Sequence, residues 1–334
     1  MNRHTLTTAI LLGLAVSLPF TLAACGGGGG GNGTVQPTPP PSPPPPPPPP
    51  PQPPPPPPPP YDQPNNQLIP TGVQTAQQEG FTGKGINVGI MDSGVDPTTP
   101  PMQGRISWFK SYLPGGSQSP NDTFGHGTVV ADILGGLAKG TIPSGWAPPN
   151  GEPFPGGVAP EAGLYFEQVC SSDSATACPY GIGNYTDFVA EHVQIINQSL
   201  GGGEVTTEFT GPNDPAIPGV QLVFQPAVNA GLLLVWAAGN NGASQPSDQS
   251  GLPYWIPSFQ PDWLAVVNIN INSQGQPTGL WVGKDASGNV DSSNACGVAA
   301  QWCLGAPGFV EFPSISGEFS TGGGQGTSFA TAVI

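Results

Sequence analysis

Gly85-Ile-Asn-Val-Gly-Ile-Met-Asp92 sets apolar side chains at Ile86, Val88 and Ile90 and closes on an aspartate. Alternation with a period of two predicts a strand. An acid at its carboxyl end stands where open parallel sheets collect their chemistry. Gly163–Val169, Val193–Leu200, Gly231–Ala238 and Trp263–Asn268 are further strand candidates, and two of them are nearly continuous apolar runs. Such runs are what parallel strands covered on both faces require. Helix candidates lie between them, at Gly127–Lys139 and around Asp187–His192. Strands alternating with helices predict an α/β fold with a doubly wound, mostly parallel sheet and helices on both faces.

Three short segments at the ends or starts of these elements carry reactive side chains. Met91-Asp-Ser-Gly94 follows the first strand, Phe124-Gly-His-Gly-Thr128 opens a helix, and Gly326-Thr-Ser-Phe-Ala-Thr331 lies near the end of the chain. In order they offer an acid, an imidazole and a hydroxyl. A neutral serine is a poor nucleophile until an imidazole takes its proton, and the imidazole needs a carboxylate to hold its tautomer. Ala237-Ala-Gly-Asn240, after an apolar strand, adds a side-chain amide able to meet negative charge on an attacked carbonyl. Asp96, close to Asp92, reads as a structural carboxylate, and His192, without a motif around it, as a residue of a helix surface.

Together these segments resemble the subtilisin-like serine proteases, whose chain order is Asp, His, Ser. Lesser matches fill the intervals at Gly157–Ala162, Ile196–Gly202 and Ala306–Gly308, so the resemblance runs from about Gly80 to Ile334. It implies a serine endopeptidase acting on polypeptides, with Asp92 as the orienting carboxylate, His126 as general base and then acid, and Ser328 as nucleophile. Asn240 and the Ser328 backbone N–H would form the oxyanion site. Ser199, Leu200 and Gly201 would bind the peptide as an added strand and, with Ala238 and Gly239, wall the pocket for the residue before the cut. No acidic base is evident for that pocket, which implies a broad or apolar preference. Calcium is common in the family, but no ligand set can be named here, and neither a cofactor nor a catalytic metal is expected.

Working outward, the first 65 residues of the chain have a different character. Met1-Asn-Arg-His4 and the apolar run Leu6–Leu22 have the layout of a signal peptide, residues 1–24. Leu22-Ala-Ala-Cys25 resembles the lipobox of bacterial lipoproteins, in which the cysteine is acylated and anchors the protein to a membrane. Gly26 after it is not the aspartate that retains many lipoproteins on the inner membrane, so the outer membrane is the implied destination. Residues 25–65 form a linker, with glycines at 26–31 and 21 prolines among the 24 positions of Pro37–Pro60. As polyproline II, 24 residues would reach about 75 Å. The peptidase domain is then residues 66–334. Of the five cysteines, Cys170, Cys178, Cys296 and Cys303 remain after Cys25. Four allow three pairings, of which Cys170–Cys178 with Cys296–Cys303 closes the shortest loops. Zinc is disfavoured by the spacing and by the lack of a nearby histidine. With 6 Lys+Arg against 21 Asp+Glu, no basic stripe exists to bind nucleic acid.

Departures from the family pattern are also specific. Val129 and Asp132 stand where it usually has His and Gly, and Ala332 where it nearly always has proline. Asp132 is expected either to face solvent or to perturb the site. The family continues the nucleophile helix for several turns, whereas Ile334 comes six residues after Ser328, so a C-terminally truncated domain is expected. A lipobox, a linker and this domain together resemble the lipoprotein autotransporter proteases of Gram-negative bacteria. The alternatives are an inactive subtilase fragment, or a proline-rich surface protein in which the motifs are accidental.

Overall fold

The computed structural model describes residues 67–138, 154–171, 184–272, 274–284, 288, 290–310 and 326–334. Among these residues, eight strands form one sheet: β1 (Asn87–Asp92), β2 (Ile106–Ser111), β3 (Gly163–Gln168), β4 (Ile195–Gln198), β5 (Leu233–Ala237), β6 (Trp263–Ile271), β7 (Pro277–Leu280) and β8 (Cys303–Ala306). The order is β2-β3-β1-β4-β5-β6-β7, with β8 also paired to β6. Every pairing is parallel except β6 with β7.

Among the described residues, seven α-helical segments accompany the sheet: α1 (Val73–Gln78), α2 (His126–Gly135), α3 (Tyr185–Ala190), α4 (Val205–Glu208), α5 (Ile217–Ala230), α6 (Asp248–Gly251) and α7 (Thr327–Val333). Alternation along β1 sends Val88 and Ile90 to one face, where they pack with Val130 and Ile133 of α2 and Ala330 of α7. Met91 goes to the other face, with Phe188 of α3 and Phe224 of α5. The second core is aromatic: the Phe224 ring meets those of Tyr185, Trp236 and Trp263 edge-on at 5.1, 5.6 and 5.3 Å. Edge-to-face contacts of this kind add to the stabilisation from area buried. The doubly wound layout is therefore as the sequence led one to expect.

Several boundaries differ from the sequence reading. The first helix candidate begins one residue earlier, at His126, and ends at Gly135, because Gly136 turns to extended backbone (φ −65°, ψ 147°). His192 is not on a helix surface. α3 ends at Ala190, and His192 takes a left-handed φ of 56° to turn the chain toward β4. Its carbonyl accepts from Asn87 Nδ2 at 3.2 Å. Cys296 and Cys303 form a disulfide. Cys170 is disulfide-bonded too, while Cys178, Cys25, the signal segment and the proline-rich linker lie outside the described residues.

Candidate active site

Strand β1 delivers Asp92 to the carboxyl edge of the sheet, where its carboxylate is 1% exposed. His126, the first residue of α2, places Nδ1 2.8 and 3.1 Å from the two Asp92 oxygens. The Ser93 N–H donates to Asp92 Oδ1 at 2.6 Å and fixes the carboxylate plane. A carboxylate on Nδ1 keeps the neutral ring's proton there, which makes Nε2 the basic nitrogen. α2 can approach β1 this closely because residue 127 is glycine: a Cβ there would stand 2.2 Å from the Gly94 carbonyl oxygen and 3.1 Å from Asp92 Cβ. The imidazole is flanked by Phe124 and by Phe329, with ring centroids at 6.2 and 5.9 Å.

Phe329 directly follows Ser328, so α7 brings the hydroxyl to the same edge of the sheet. Ser328 Oγ donates to the Ser199 carbonyl at 3.1 Å, and Ser199 Oγ donates to the Ser328 carbonyl at 2.8 Å. This reciprocal pair ties the end of β4 to the start of α7. Thr327 is tied in turn to the loop after β5: its N–H and Oγ1 donate to Asn240 Oδ1 at 2.9 and 3.0 Å, and its Oγ1 accepts from Gly239 N–H at 3.1 Å. A backbone N–H only donates, so the Asn240 oxygen faces Thr327, and its amino group is left to face elsewhere.

Two features of this loop escaped the sequence reading. Asn294, 3% exposed, wraps the turn that carries Asn240. Its Oδ1 accepts from Asn241 and Ala243 N–H groups, both at 3.0 Å, and its Nδ2 donates to the Ala238 carbonyl at 2.9 Å. The clamp is tight enough that residue 239 must lack a side chain: φ is +104° and a Cβ would stand 2.5 Å from Asn294 Nδ2. Nothing local in Ser293-Asn294-Ala295 signals this role, which depends on a partner 53 residues away.

The remaining candidates fall as follows. Pairing of β4 stops at Asn197 toward β1 and at Gln198 toward β5, so Ser199, Leu200 and Gly201 continue beyond the ladder. Ala238 is wholly buried, its N–H on the Val266 carbonyl and its own carbonyl taken by Ser247 and Asn294, while Gly239 is partly exposed. Asp96 is structural: its Oδ1 accepts from the N–H and hydroxyl of Thr98 at 2.8 and 2.7 Å. Asp132 does not face solvent. It is fully buried, and neither carboxylate oxygen has a hydrogen-bond partner. Burial, with Asp96 nearby, holds its pKa well above the usual carboxylate range. Ala332 is buried inside α7, which runs through it without interruption.

Residues 83–334 match Peptidase_S8, the subtilase family. The chain belongs to the subtilase family. This subtilase is 27% identical over 215 residues to subtilisin amylosacchariticus of Bacillus subtilis subsp. amylosacchariticus, a match covering 62% of this chain and 48% of the relative. It is 31% identical over 183 residues to the major intracellular serine protease of Bacillus subtilis (strain 168), covering 52% and 50% of the two chains. The subtilase thus spans about half the length of these relatives. Among solved structures, the prenylagaramide maturation protease PagA matches with a TM-score of 0.53 at 22% identity, over 78% of this chain and 76% of that one. A cold-adapted subtilisin-like serine proteinase matches with a TM-score of 0.50 at 21% identity, over 76% and 73%. At these identities the structural likeness speaks for the fold.

Proposed function

We propose that this subtilase is a serine endopeptidase that cleaves polypeptides through an acyl-enzyme on Ser328. The observation that carries the reading is the buried Asp92 carboxylate on His126 Nδ1, with the imidazole flanked by the residue that follows Ser328. In this reading a substrate continues β4 as an added strand along Ser199–Gly201, where main-chain hydrogen bonds supply affinity. Ser328 Oγ leaves the Ser199 carbonyl, gives its proton to His126 Nε2 and bonds to the scissile carbonyl carbon. The resulting oxyanion is met by the Asn240 amino group and the Ser328 N–H, donors fixed in advance and so costing little reorganisation. His126 then returns the proton to the leaving amine, and Asp92 stabilises the imidazolium between the two transfers. Water repeats the sequence to release the acid.

The lipobox cysteine Cys25 and the proline-rich linker support a further part of the proposal, that the enzyme is tethered by lipid to the outer membrane of the bacterial envelope. The order of anchor, spacer and peptidase supports kinship with lipoprotein autotransporter proteases. The Cys296–Cys303 disulfide fits the oxidising compartment that such a location supplies.

Fluorophosphonate labelling of the 334-residue chain beside Ser328→Ala tests the chemistry. Labelling should be lost in the variant. In the unaltered chain its rate should fall as pH drops through the titration of His126. A folded chain that takes no label, or a Ser328→Ala chain that labels equally, would overturn the reading.

A further inference from the structure

Asp122 is absent from the mechanism above, yet five donors converge on its carboxylate. Oδ1 accepts from Ser93 Oγ at 3.0 Å, from the Phe124 N–H at 3.1 Å and from the Gly125 N–H at 2.6 Å. Oδ2 accepts from the Thr128 N–H at 2.9 Å and the Thr128 hydroxyl at 2.7 Å. Ser93 Oγ in turn accepts from the Gly127 N–H at 2.9 Å.

These bonds have a common geometry. Ser93 is covalently next to Asp92, and its N–H holds the Asp92 carboxylate. Phe124, Gly125, Gly127 and Thr128 are the residues on either side of His126. One carboxylate therefore ties the Ser93 hydroxyl beside Asp92 to the backbone on both sides of His126, and it does so from the loop that leads into α2. The start of α2 has no cap of its own, since Gly125 at the N-cap is left-handed and has no side chain to bond the first turn. Asp122 and Ser93 supply that cap from outside the helix. The N–H groups on both sides of His126 are satisfied in this way, which fixes the direction of its Cα–Cβ bond. A charged acceptor makes stronger bonds to N–H groups than a neutral one, so the grip depends on the carboxylate and not only on its shape.

We propose that Asp122 is the positioning residue of the Asp92–His126 pair: it sets the distance and angle at which the imidazole meets Asp92, without touching substrate. This rests on the protease reading for its kinetic consequence, but its structural content stands apart from that reading. A misplacement of about 1 Å is enough to cost about 10²-fold in rate.

The test compares the unaltered 334-residue chain with Asp122→Asn and Asp122→Ala, reading the fluorophosphonate acylation rate, kcat and KM on a peptide substrate, the thermal midpoint, and the far-downfield proton resonance of an imidazole N–H held by a carboxylate. Asp122→Ala should remain folded, label and turn over about 10²-fold more slowly, keep KM within about threefold, and lose or shift the resonance. Asp122→Asn, which keeps the shape and one acceptor, should fall between. Rates that fall only in proportion to the unfolded fraction, or a variant with unchanged rates and an unchanged resonance, would overturn the proposal. Absence of labelling in the unaltered chain would instead count against the protease reading. The resonance would then decide the role of Asp122 by itself, its retention in Asp122→Ala overturning it.

Discussion

On α2, two turns from His126, Asp132 places an acid in an apolar layer with Ile133 and Val130 as neighbours along the helix. Both oxygens are without hydrogen bonds, and burial first, then Asp96, pushes the carboxyl well above its ordinary range. An ionised carboxylate in such surroundings would be costly, so the group holds its proton instead. The sign of the consequence is fixed by linkage. The unfolded chain releases this proton in the ordinary carboxylate range and the folded chain does not, so this residue's contribution is fully present at acid pH and is lost as pH rises. Asp132→Asn, with the same shape and no charge to lose, should match the parent in thermal midpoint near pH 4 and exceed it at pH 8. Midpoints that stay equal across that range would mean that Asp132 titrates in the fold as it does in the unfolded chain, and that burial does not hold its proton. The sequence marked Asp132 as out of pattern but could not say which way it points. That depends on which stripe of α2 meets the sheet, and a ten-residue helix that is buried along nearly its whole length has no polar face to reveal it.

Among the elements, strands β1, β3, β4, β5 and β6 were legible because their apolar runs are sharp, whereas β2 and α5 were not. β2 pairs on one side, with β3, and most of its residues are only half-buried, so its pattern is blurred. α5 carries prolines near its start and at Pro226, residues that read as breakers. A proline is tolerated in the first turn, and the packing of Phe224 into the aromatic core holds the helix together around the second. The loop after β5 makes the same point at the site: Ala-Ala-Gly-Asn announced Asn240, but the Asn294 clamp that shapes the turn was silent. Asn294→Ala would leave the N–H groups of Asn241 and Ala243 without this acceptor and take one of two donors from the Ala238 carbonyl, which keeps the Ser247 N–H, at a cost of about 1 kcal/mol for each hydrogen bond lost. It should lower the thermal midpoint and also slow fluorophosphonate acylation in the fraction that remains folded, because the Asn240 amide loses its support. Full acylation rate in a destabilised variant would show that Thr327 alone holds Asn240.

Across the whole molecule, the sheet separates two chemistries. The face toward α2 and α7 carries the Asp92–His126 pair, and the opposite face carries a second buried acid. Glu167 of β3 is in register with Lys110 of β2 and Met91 of β1. Its Oε2 accepts from the Asn184 N–H at the start of α3 at 2.8 Å, and its Oε1 has no hydrogen-bond partner. Asp187 of α3 accepts from Lys110 and Tyr112, so β2, β3 and α3 meet in one polar cluster under the sheet edge. Burial pushes the Glu167 carboxyl up to about 8; the Asn184 N–H opposes this, nearby Asp187 adds to it, and Lys110 opposes it. The folded protein therefore keeps a proton that the unfolded chain gives up in the ordinary glutamate range. Stability from this residue is complete below that range, declines as pH climbs, and is gone above about 8. Glu167→Gln keeps the shape and cannot ionise, so it should flatten the fall in thermal midpoint between pH 5 and pH 8. A change of 1 kcal/mol in a domain of this size moves the midpoint by about 2–4 °C, which melting at a series of pH values resolves. The same slope in parent and variant would show that Glu167 is already ionised in the fold and that Lys110, rather than burial, governs it. Because Glu167 lies on the face away from His126, the pH limb of fluorophosphonate acylation should be the same in parent and variant, separating the acid that tunes stability from the pair that serves the reaction.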